Sequence, residues 1–254
     1  MLQLWQIIIG IVVAIAAAFL GTFVVSRRMS LVADALSHVA LPGMGIALML
    51  GFEPFLGGFA IMALAVLGIG VLEARRMVLA DTLIGVLFTA ALAVGLLIVP
   101  DLELIEVLFG DITGINLANG LLTLVGGAVI VFTTLRYLPQ FAKITFAPEL
   151  AASEGVPVAR MNLLFLFLLA GTVAIGIKAI GVLLMGALVI LPAASARNIA
   201  RDLRETLIFS VGIGCAIVLI GFFVANAFRM PPGPSVVITG ALIFGISLLV
   251  RRRS

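Results

Sequence analysis

The chain has 254 residues, 63% of them hydrophobic and only 11% charged, with a formal net charge of +3. No soluble domain of this length hides so much apolar surface, so the composition excludes a water-soluble enzyme and predicts an all-α, polytopic transmembrane bundle. The basic excess does not point to nucleic acid, because the arginines cluster at the ends of apolar runs; the single cysteine, Cys215, excludes an internal disulfide and reads as a small buried hydrophobe.

A bilayer crossing needs about 20 apolar residues. In chain order the candidate spans are Leu4–Val25, Leu31–Leu50, Phe55–Leu72, Thr82–Val99, Leu117–Tyr137, Met161–Ile177, Ile180–Ala194, Leu207–Phe228 and Ser235–Val250. This reading gives eight or nine spans in one transmembrane domain covering residues 1–254. The first run lacks a basic leader and is long enough to span, so it is read as a helix and not as a cleavable signal. The seventh is short, and the tight connection Gly176–Ile180 suggests a hairpin that tilts or re-enters. Asp101–Asn116 is amphipathic and reads as an interfacial helix outside the membrane.

Basic residues orient the chain, because cytoplasmic loops carry the excess of Lys and Arg. Alternate connections hold Arg27, Arg28; Arg75, Arg76; Arg136, Lys143, Arg160; Arg197, Arg201, Arg204; and Arg251, Arg252, Arg253. The other side has only Lys178 and Arg229. The N-terminus is therefore expected outside and the C-terminus in the cytoplasm. Small residues recur four apart at Gly43, Ala47 and Gly51, a spacing that lets helices approach closely; a homodimer interface is one use of it.

The only histidine, His38, lies four residues after Asp34, in a stretch with no other charge between Arg28 and Glu53. A spacing of four puts both on one helical face. Two readings stand beside each other. The pair is a structural hydrogen bond that fixes helix packing, or it lies deep in lipid on an ion pathway, where a carboxylate and an imidazole together suit a divalent transition metal. Two ligands hold a dication loosely, so main-chain carbonyls near Pro42, waters or a second protomer would complete the shell.

The longest cytoplasmic connection runs from about Leu138 to Arg160. Pro148 and Glu149 suit a helix start, Leu150 continues it, Gly155 can cap it and Pro157 stops it. This predicts a short helix over about 147–156, flanked by loops. It is either a plain interfacial helix or one that inserts into a partner's cleft. The chain has no Gly-x-x-x-x-Gly-Lys-Ser/Thr phosphate loop. If ATP drives this protein, the nucleotide site and its hydrolysis belong to another chain.

The run from Arg27 through Ser30, Asp34, His38 and Pro42 to Gly43 resembles the signature of the membrane permeases of zinc, manganese and iron ABC importers, the type 3 ABC permease family. Further blocks agree in order: Asp81–Gly85, Leu108–Ile112, Phe146-Ala-Pro-Glu149 with Gly155, and Gly181 through Arg197. Ala33 and Ala147 depart from the usual glycine and aspartate at those places. The resemblance implies a multi-pass permease in the inner or plasma membrane, itself not an enzyme. It implies a homodimer with two cytoplasmic ATPase subunits and an extracytoplasmic metal-binding protein. It further implies that Asp34 and His38 coordinate the transported zinc, manganese or iron, and that Pro148, Glu149, Leu150 and Gly155 form the contact to the ATPase. No permanently bound cofactor is expected. The rival reading is a secondary metal or proton carrier in which Asp34 and His38 relay protons without an ATPase.

Overall fold

A computed structural model describes residues 4–74, 80–99 and 117–250. Among the described residues there are eleven α-helices and no strand. In chain order they are α1 (Leu4–Ser26), α2 (Leu31–Leu50), α3 (Pro54–Ala74), α4 (Ala80–Ile98), α5 (Leu117–Arg136), α6 (Leu138–Phe146), α7 (Pro148–Ser153), α8 (Val158–Ile180), α9 (Val182–Ile199), α10 (Leu203–Phe228) and α11 (Pro232–Leu249).

Each candidate span coincides with one of the nine longer helices, and α2 has the predicted bounds. By length and composition six of them can cross a membrane: α1, α2, α3, α8, α10 and α11. α5 and α6 together make a seventh, bent by 61° at their junction. α4 and α9 are apolar but shorter.

Two expectations are corrected, and the close packing read from the small-residue stripe is located. The tight connection is not at Gly176–Ile180, which is helical to the end of α8; the turn is Gly181, with φ 91°. β-Substituted residues resist that backbone conformation, which is why the break waits for the glycine. The stretch before α7 is not a loop but α6, whose Phe141 and Ile144 are buried. Pro139 at its start and apolar residues three apart make a short amphipathic helix there, a pattern hidden by the neighbouring lysine and glutamine. The small-residue stripe is used within the chain. A Cβ on Gly43 would collide with the carbonyl of Gly57 in α3, whereas Gly51 has open space and instead ends α2 with φ 74°. The proposed interfacial helix Asp101–Asn116 lies outside the described residues.

Around this frame α1 is enclosed by α5, α8, α9 and α10, while α2 lies between α9 on one side and α3 and α4 on the other. Backbones meet closely where small residues permit: a Cβ on Gly21 of α1 would strike the Val189 carbonyl of α9. The Ser210 hydroxyl of α10 donates to the Ala18 carbonyl of α1 at 3.1 Å, giving its proton a partner where no water reaches. α10 begins with a tight cap. Asp202 Oδ1 accepts from the Glu205 N–H at 2.7 Å, and Glu205 Oε2 accepts from the Arg201 N–H at 2.8 Å.

Candidate functional site

Asp34 and His38 both lie on α2, one turn apart, as their spacing requires. Along α2 the pair is off-centre. Asp34 is in the first turn of the helix, so at 1.5 Å per residue it sits roughly 5 Å from the helix start and His38 roughly 10 Å. The charge-free stretch from Arg28 to Glu53 is lopsided around the pair, and the pair belongs to its Arg28 end. An acid in the first turn also faces the positive end of the helix dipole, so its charge is cheaper here than at mid-helix.

The two side chains are not locked together. His38 Nδ1 and Asp34 Oδ1 are 3.8 Å apart, too far for a hydrogen bond. Instead His38 Nδ1 lies 2.9 Å from the main-chain carbonyl of Asp34, which can only accept. In a neutral ring the proton is therefore on Nδ1, and Nε2 carries the lone pair. The Ser37 hydroxyl donates to the same carbonyl at 2.7 Å. His38 is 6% exposed and meets Phe88 of α4 edge to face, with ring centroids 4.9 Å apart. Pro42, one turn further on, has no N–H to give to the His38 carbonyl, so α2 leaves that acceptor without its helical donor.

The Asp34 side chain is 34% exposed. Among the described residues its carboxylate accepts no hydrogen bond, so its oxygens are available to a ligand. What covers it is Gly186 of α9, a residue that sequence reasoning missed. A Cβ on Gly186 would lie 2.8 Å from Asp34 Oδ1 and 3.1 Å from Asp34 Cα. Only the absent side chain lets α9 pass so close. A glycine inside a Leu- and Val-rich helix is a weak signal, and nothing local tells which helix it meets. Among the described residues no group of three or more His, Cys, Asp or Glu converges. The chain's own side chains thus offer an oxygen donor and a nitrogen donor, with carbonyls in reserve.

The second candidate region forms as expected and is shorter. α7 covers Pro148–Ser153, starting from Ala147, whose side chain gives no cap. Gly155 takes φ 80°, with the Val156 N–H reaching the Ala151 carbonyl at 3.0 Å and the Gly155 N–H the Ala152 carbonyl at 3.1 Å. This pair of bonds is the glycine-ended stop that satisfies the last carbonyls of a helix. Pro148, Glu149, Leu150 and Gly155 are exposed, while Ala151 is buried and pins the helix to the body. Phe146 (62% exposed) and Leu150 (55%) stand out together at its tip. Lys143 of α6 pairs with Glu154, which straps the two short helices across their bend. The two regions are not in one pocket. Pro192 lies inside the continuous helix α9. The side chains of Asp81 and Lys178 lie outside the described residues.

The body is all-helical, with an acid–imidazole pair on one inner helix and an exposed short helix between two longer ones. The match to the ABC 3 transport family runs over residues 2–251. The chain belongs to that family and is a multi-pass membrane protein. It is 33% identical over 251 residues to the high-affinity zinc uptake system membrane protein ZnuB of Haemophilus influenzae, covering 96% of this chain and 95% of that one. Over 248 residues it is 29% identical to the manganese import system permease protein ScaB of Streptococcus gordonii, covering 96% and 89%. Among solved structures, PsaBC from Streptococcus pneumoniae in complex with Fab superposes with a TM-score of 0.86 at 30% identity, covering 97% of this chain and 90% of that one.

Proposed function

We propose that this chain is the permease subunit of an ATP-driven importer of divalent transition metal, manganese or zinc in the first instance and ferrous iron as a third candidate. The observation that carries the proposal is the state of the pair. The Asp34 carboxylate is free, and the His38 ring is held by a carbonyl in the tautomer that presents a lone pair at Nε2. With no hydrogen bond between the two side chains, both Asp34 oxygens and His38 Nε2 stay open to an ion. The names of the zinc and manganese relatives support the same cargo.

In this reading all nine longer helices span the inner membrane, with the N-terminus outside and the arginine-rich ends of the helices in the cytoplasm. Asp34 and His38 then lie toward the cytoplasmic end of α2. An ion delivered by an extracytoplasmic binding protein meets them late in its passage, where they replace part of its hydration shell. The missing ligands come from water, from the released His38 carbonyl after local rearrangement, or from a second protomer of a homodimer. Few fixed ligands suit a site that must release its ion. Pro148, Glu149, Leu150 and Gly155 present α7 to a cytoplasmic ATPase subunit; the exposed Phe146 and Leu150 give that contact an apolar tip.

Asp34→Ala and His38→Ala should insert and assemble with the ATPase, yet lose metal uptake by ten-fold or more in proteoliposomes. Uptake unchanged in both would end the proposed role of the pair. The rival secondary carrier predicts gradient-driven transport by the permease alone, so reconstitution with and without the ATPase separates the two mechanisms.

A further inference from the structure

We propose that Arg27 is a positioning residue that ties both arms of α7 to the start of α2, so that movement of α7 at the ATPase is delivered to Asp34. This rests on the functional reading given above for those two regions.

Arg27 directly follows α1. Its Nε–H donates to Thr145 Oγ1 at 2.9 Å and its Nη1–H to Asn162 Oδ1 at 3.0 Å, while Cζ stands 4.4 Å from the centre of the Phe165 ring. Thr145 is in the last turn of α6 and Asn162 near the beginning of α8. One guanidinium therefore grips the helix that enters α7 and the helix that leaves it. Beneath it, Phe23 of α1, Phe141 of α6 and Phe165 of α8 meet edge on, with centroids 6.0, 6.4 and 5.8 Å apart, and all three are essentially buried. These rings clamp the arms to the end of α1.

On its other side Arg27 is only four residues from the first residue of α2. That connection has little slack. The Arg28 N–H reaches the Val25 carbonyl at 3.2 Å, the Met29 N–H the Val24 carbonyl at 3.0 Å, and the Val32 N–H the Met29 carbonyl at 3.0 Å. A cavity of about 150 Å³ separates Met29 of this turn from Pro148 of α7, with Arg27 and Asn162 on its wall. The guanidinium fork spans the wall of that gap, alongside the packed rings. A planar fork stacked on a ring holds two acceptors in fixed directions, which a lysine ammonium does not.

The test uses the full permease with its cognate ATPase and extracytoplasmic binding protein in proteoliposomes, supplied with manganese or with zinc, and reads metal taken up per ATP hydrolysed. Arg27→Lys and Asn162→Leu should keep hydrolysing ATP while that ratio falls at least five-fold. Asn162→Asp, which retains an acceptor at the same place, should stay within two-fold of the parent. The proposal is overturned if Asn162→Leu keeps the parental ratio, or if Asn162→Asp loses as much as Asn162→Leu; these two variants decide the matter even where Arg27→Lys does not assemble. No ATP-dependent uptake by the unaltered complex would instead overturn the functional reading, and this inference with it.

Discussion

The two flanks of α2 are built differently. On the α9 side, α1, α8, α9 and α10 form a dense block: Ile9, Val13, Leu20, Phe23, Leu169 and Val189 have no exposed surface at all. On the other side α3 and α4 both lean on α2 but barely touch each other. Between them opens an apolar groove of about 430 Å³, floored by Val39 and Pro42 of α2. Leu97 and Val86 of α4 are 86% and 59% exposed. The difference teaches where rigidity is placed. α9 meets the pair at Asp34 through Gly186, while α4 meets it at His38 through the Phe88 ring.

The dense flank should respond most to truncation. Phe165→Ala removes a ring from the aromatic clamp and should destabilise the protein by about 3–5 kcal/mol, read as a lowered unfolding midpoint in detergent. A shift no larger than that of a surface variant would mean the clamp does not carry the block. Gly43→Ala sets a Cβ against the Gly57 backbone at a tight contact of the loose flank. Overpacking there should cost about 1–3 kcal/mol, because a backbone carbonyl cannot rotate away. Full retention of stability would show that α3 is free to slide.

Gly186→Ala tests the seam itself. With the fold retained, the added methyl must push Asp34 or α9 aside, and metal uptake should drop about ten-fold, equivalent to about 1.4 kcal/mol. Normal uptake would show that α9 does not shape the site. Arg28 holds a left-handed backbone at φ 60° with a full side chain. Arg28→Gly should relieve that strain and raise stability by about 1 kcal/mol, detectable as a higher midpoint. Leu97→Ala, on the open face of α4, should change stability by less than about 0.5 kcal/mol. A larger loss would reveal that something covers this face.

The reading of the sequence was strongest where a local pattern had one physical outcome. α2 begins and ends at the predicted residues because charged or turn-forming residues flank it on both sides, and Gly51 takes the left-handed turn that stops it. α7 was legible for the same reason: Pro148 can start a helix and Gly155 can end one. α6 was missed because Gln140 and Lys143 dilute its apolar face, which only becomes a face when Phe141 packs on Phe23 and Phe165. Asp34 and His38 sit in the first two turns of α2, nearer Arg28 than Glu53, as their residue numbers already show.

Taken alone, the amino-acid order determined that this is a helical membrane protein with an acid and an imidazole on one helical face and a short helix between spans. Those features depend on hydrophobic run length, charge asymmetry and i, i+4 spacing, all of which act over a few residues. Tertiary structure alone decided that Gly186 rather than a side chain lies against Asp34, and that Arg27 joins three helices. Each of these needs groups more than a hundred residues apart to meet in space. No local pattern encodes such meetings, because they follow from how whole helices pack.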